Sequence, residues 1–114
     1  MSVLKTTMEV LERLSLKSGK PVMILSSSNE KLELISNMID DMISEFEAET
    51  YTVSVVPEDL VMEINIELPE MIIEDCGEHN FFRLIEMVDT FSFSVKKDYL
   101  NISLRIDNLF YIAG

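Results

Sequence analysis

Residues 61–68 read VMEINIEL, and their reading decides the fold. Met62, Ile64, Ile66 and Leu68 alternate with Glu63, Asn65 and Glu67, the period of a strand with one buried face and one wet face. Immediately upstream, TYTVSVV (50–56) is rich in β-branched residues and is followed by the turn signal PED. The two runs therefore predict an antiparallel hairpin. Downstream, Pro69 interrupts before MIIEDC (71–76), a candidate short edge segment, because proline cannot donate to a ladder.

On either side of this hairpin the period changes to that of helices. Leu4, Met8, Leu11 and Leu14 or Ser15 predict a helix over 3–17, stopped by Ser18, Gly19 and Pro21. VMIL (22–25) reads as a short strand. Ser27 with Glu30 fits a capping box, and Leu32, Ile35, Ile39, Met42 and Phe46, widened by Leu34, Met38 and Ile43, predict a core-facing helix over about 29–48. A dimer seam along that helix is the alternative to a core role, so a homodimer stays open.

From His79 to Thr90, Phe81, Leu84, Ile85 and Val88 stand at helical spacing, with Phe82 and Met87 at the borders. FSFSV and YLNISLRI then alternate as strands, and LFYI closes the chain as a short third. Helices segregated from hairpins define an α+β fold, an antiparallel sheet packed against about three helices, with residues 1–114 as one domain. The 114 residues suit that reading, since a chain of this size buries roughly two thirds of its unfolded surface.

The chemistry-bearing residues are few. Cys76 and His79, the sole residues of their kinds, stand three apart in DCGEH, the minimum for a small Cys/His enzyme. Asp75, Glu78 and Glu74 beside them oppose a thiolate, and two ligands fall short of the four of structural zinc. A half-buried cysteine in a turn is the simpler reading, so no catalytic residue, metal or cofactor is assigned. Glu74, Asp75 and Glu78 lack the glycine and Asp/Asn spacing of a calcium loop. SSSNE (26–30) without glycine reads as a helix start rather than a phosphate cradle. Met8, Met38, Met42, Met62 and Met87 read as packing.

Charge is the more informative signal. The net charge is -12, yet residues 1–31 hold five basic and three acidic side chains and residues 83–114 hold four of each. The excess lies between Lys31 and Arg83, where 51 residues hold fourteen carboxylates and neither lysine nor arginine. Direct binding of nucleic acid or anionic lipid is disfavoured, because phosphate contacts need basic residues. The lone cysteine and the charged start of the chain point to the cytoplasm.

In element order and acidity the chain resembles the small acidic chaperones of bacterial type III secretion, whose hairpins and helices form a dimeric platform for protein clients. The likeness is architectural, carries no shared motif, and departs from their single leading helix. It implies an adaptor dimer with an apolar client surface. The residues themselves favour a non-enzymatic acidic protein, an inhibitor or adaptor, that docks on a basic protein partner through Glu33, Asp40, Glu47, Glu58, Asp59, Glu63, Glu67, Glu70, Glu74 and Asp75. Its sharpest form is mimicry of nucleic-acid phosphates against a nucleic-acid-binding enzyme, as small phage-borne inhibitors practise it. Docking of this kind requires the second helix and the central hairpin to share one surface.

Overall fold

The computed structural model describes residues 2–45, 50–69, 79–96 and 99–113. Its elements are α1 (Val3–Ser18), β1 (Val22–Ile24), a 3₁₀ turn (Ser26–Ser28), α2 (Asn29–Glu45), β2 (Thr50–Val56), β3 (Val61–Pro69), α3 (His79–Met87), β4 (Thr90–Lys96), β5 (Tyr99–Ile106) and β6 (Phe110–Ile112). The fold is α+β. The remainder of the predicted second helix and the MIIEDC segment lie outside the described residues.

The four longer strands form one antiparallel sheet in the order β2-β3-β5-β4. The predicted hairpins are present, and they join through the pairing of β3 with β5, in which Met62, Ile64, Ile66 and Leu68 stand opposite Ile106, Leu104, Ile102 and Leu100. Those eight side chains are at most 2% exposed and form one cluster with Leu32, Ile35, Ile39 and Met42 of α2. Burying each of the four β3 side chains contributes about 1.5–3 kcal/mol. Because the helix layer covers that inner face, Glu63, Asn65 and Glu67 are turned to the opposite side of the sheet. β3 and β4 both run antiparallel to β5, so the connection containing α3 is a crossover between two parallel strands.

Helix α1 begins where Ser2 accepts a hydrogen bond from the Lys5 N–H and ends where Gly19, at φ 73°, donates to the Ser15 carbonyl. That left-handed cap suits glycine, which has no Cβ to clash. Ser15 also accepts from the Val22 N–H, tying α1 to β1. β1 then pairs with β6 in a separate two-stranded sheet, Val22 opposite Ile112 and Ile24 opposite Phe110.

Three expectations change. The capping box does not form: the chain turns helical through Ser26–Ser28, and the Ser28 hydroxyl instead donates to the Asn108 carbonyl, pinning the start of α2 to the β5–β6 turn. Leu34 is 41% exposed, because the α2 core stripe is already filled by Leu32, Ile35, Met38, Ile39, Met42 and Ile43. Met8 is 48% exposed on α1, whereas Met38, Met42 and Met62 are buried as packing residues. Among the described residues no helix is long and apolar enough to cross a membrane.

Ser36 is fully buried in α2 and its hydroxyl has no hydrogen-bond partner. Leaving such a group unsatisfied costs about 1–3 kcal/mol. Ser36→Ala is therefore expected to stabilise the protein by about 1 kcal/mol, and Ile66→Ala to destabilise it by about 2–5 kcal/mol, both read from denaturant midpoints at unchanged slope.

Candidate functional site

The described carboxylates among those singled out by the sequence separate onto different sides of the molecule. Glu33 stands exposed on the solvent face of α2, beyond the buried stripe that meets the sheet. Glu63 and Glu67 lie on the outer face of the sheet, with the sheet itself between them and α2. The helix and the hairpin face therefore do not make one acidic surface. Glu47, Glu70, Glu74, Asp75, Glu78 and Cys76 lie outside the described residues, so the Cys76/His79 arrangement does as well.

Asp40 has a different employment. Its Oδ1 accepts the Val3 N–H at 2.8 Å, across 37 residues of sequence. A carboxylate on the first N–H of α1 satisfies an orphan donor and opposes the positive end of the helix dipole. This carboxylate holds two helices together, and it is half-buried rather than displayed.

On the outer sheet face the supposed lack of counter-charge is corrected by the register. Glu63 stands opposite Arg105, and Glu63 Oε1 lies 3.9 Å from a guanidinium nitrogen. Arg105 Nε also lies 3.7 Å from Asp107 Oδ1. Both pairs are more than a third exposed, so each contributes no more than about 1 kcal/mol. Glu67 accepts a hydrogen bond from the Thr50 hydroxyl at 3.0 Å, and Asn65 accepts one from Ser103. Between these groups lies a depression of about 200 Å³ lined by Glu63, Asn65, Thr90, Ser92, Ser103 and Arg105. That is below the roughly 300 Å³ at which small-molecule sites usually begin.

Carboxylates do converge at one end of the sheet. The β2–β3 turn, residues 57–60, carries Glu58 and Asp59, both exposed. Leu60 closes it at φ 51° while packing against the core, and its N–H donates to the Val56 carbonyl at 2.7 Å. Holding a leucine in that left-handed conformation costs about 1–2 kcal/mol, which the anchoring contact offsets. The anchor leaves Glu58 and Asp59 projecting beyond the strand ends. Because Met62 is opposite Ile106, the same end receives Asp107, whose N–H donates to Asp89 Oδ2 at 2.7 Å. With strands about 4.8 Å apart, Glu58, Asp59, Glu63, Asp89 and Asp107 share a rim about three strands wide.

Asp89 and Asp107 come from the electrically neutral C-terminal segment and were missed by counting charge along the chain. The pairing of β3 with β5 brings Asp107 beside the hairpin turn, and the pairing of β5 with β4 brings Asp89. Among the described residues Arg105 makes the only ion pairs, and no group of three His, Cys, Asp or Glu side chains is placed to hold a metal ion. The chain matches no known protein family, and no curated protein or solved structure is significantly similar to it.

Asp40→Ala is expected to destabilise the protein by about 1 kcal/mol, in the range of a lost helix cap, measured by denaturant unfolding. Glu33→Ala on the same helix is expected to change stability by less than about 0.5 kcal/mol.

Proposed function

We propose that this protein is a non-enzymatic binding protein that docks on a basic surface of another protein through the acidic rim of its sheet. The observation that carries this reading is the rim itself: among the described residues Glu58 and Asp59 are exposed and make no ion pair, Asp89 makes none either, and Glu63 and Asp107 beside them share Arg105 alone. Such a rim draws a cationic partner over a distance set by the Debye length, about 8–10 Å at moderate salt. It also excludes acidic partners, since like charges brought together at an interface are costly. The binding groups stand on a firm base, because the inner-face residues at this end of β2, β3 and β5, Val55, Met62 and Ile106, are buried.

A target whose basic surface serves nucleic acid is the most specific form of this proposal. There the rim would occupy the place of phosphates and block access. The exposed carboxylates of α2, Glu33 and Asp41, lie on another side and add long-range attraction rather than contact.

The test is affinity capture from the source cells at low and high salt, comparing the wild-type chain with Glu58→Lys/Asp59→Lys and with Glu33→Lys/Asp41→Lys. A basic protein retained at low salt, released at high salt, and lost about tenfold or more with the rim variant but not with the helix variant, is the expected outcome. Capture indifferent to both salt and rim reversal would exclude the reading.

A further inference from the structure

We propose that the groove between α1 and β1 binds an extended peptide, with apolar side chains at alternate positions and one basic residue, which adds to β1 as a third strand. β1 has two edges, and β6 takes one of them. The Leu25 N–H donates to the Leu109 carbonyl and the Ala113 N–H to the Pro21 carbonyl, so residues 21, 23 and 25 turn their backbone groups toward β6. Val22 and Ile24 turn theirs the other way, toward α1. On that side Ser15 Oγ accepts the Val22 N–H at 2.8 Å, whereas the Val22 carbonyl and both the N–H and the carbonyl of Ile24 have no hydrogen-bond partner among the described residues. An open edge of this kind is a template for another backbone.

The space beside that edge is large enough to hold one. A groove of about 460 Å³ lies there, within the range of ligand sites and larger than the depression on the sheet face. Leu11 and Val22, both buried, line it together with Met8 and Met23, which are 48% and 45% exposed. Unbranched thioethers repack around whatever apolar side chain enters, which gives the exposure of Met8 a use.

Hydrogen bonding and charge select the occupant. Three open backbone groups in ladder spacing match a peptide, since a lipid or an aliphatic ligand supplies no N–H and C=O to pair with them. The side chains of Val22 and Ile24 share one face of β1 and pack on the core, so a strand laid beside them presents every second side chain to that face. Those positions call for apolar residues. Glu12 is the one charged residue lining the groove and makes no ion pair among the described residues, so a lysine or arginine of the peptide is drawn in and an acidic one repelled. The site uses none of the rim carboxylates, and its backbone and apolar contacts are little screened by salt, so this proposal and docking at the rim fail independently.

Fluorescence anisotropy of the full chain with a labelled, end-blocked heptapeptide, having valine at alternate positions, a central lysine and threonine elsewhere, tests this. Saturable binding is expected, with the Ile24 amide protected from hydrogen exchange in the complex. N-methylation of one alternate set of peptide amides should weaken binding about tenfold or more and N-methylation of the other set should not, because successive amides point to opposite sides of a strand; which set is sensitive reports the strand direction. Met8→Ser and Glu12→Lys, both at exposed positions, should each weaken binding about fivefold with far-UV circular dichroism unchanged, and Glu12→Lys should strengthen binding of the peptide in which glutamate replaces lysine. Glu58→Lys/Asp59→Lys should leave it within about twofold of the wild type. No saturable binding, the same response to both N-methylated peptides, or Ile24 amide protection that grows with protein concentration in the absence of peptide, the sign of a second copy at this edge, would each overturn the proposal.

Discussion

The antiparallel pairing of β3 with β5 is the constraint on which the rest of the structure depends. It places two rows of four apolar side chains next to each other on one face, and the helices assemble on that face because nowhere else offers so much area to bury. The same alternation that turns Ile64 and Ile66 inward turns Glu63 and Glu67 outward, so core and charge are two consequences of one period. A slip of one residue would exchange the two faces and bury carboxylates. The register is therefore strongly specified, and with it the neighbours of every outward residue on β3.

Most of the individual elements were legible in the sequence. The helical spacing of α1 and α2, the β-branched run before PED and the alternation of 61–68 each reflect a local property, and local properties survive folding where tertiary contacts agree with them. What was not legible involves residues far apart in the chain. Arg105 stands opposite Glu63, Val3 donates to Asp40, and Ser28 donates to Asn108, contacts that span 42, 37 and 80 residues. No windowed pattern encodes them. The capping box failed for the same reason: a serine judged by its immediate neighbours looked like a cap, while a distant carbonyl made the turn at Ser28 more favourable.

The candidate site shows the same division. Sequence counting located the acid in the middle of the chain, but it could not separate a carboxylate that holds a helix, Asp40, from carboxylates that are displayed, Glu58 and Asp59. Nor could it add Asp89 and Asp107, which belong to a neutral segment and reach the rim only through strand pairing. Among the described residues the acidic stretch is thus neither one continuous surface nor a uniform coat. Its described carboxylates include a rim at the sheet end, exposed positions on α2, and a structural tether between α1 and α2, each with its own energetic role.

Because the rim exists only in the observed register, cross-strand nuclear Overhauser contacts between β3 and β5 test the account most directly. Pairing of Ile64 with Leu104 and of Ile66 with Ile102 is predicted, with Glu63 facing Arg105. Contacts showing a shift by two residues, or β3 paired on that side with β4 instead, would move Arg105, Asp107 and Asp89 away from the hairpin turn and contradict it.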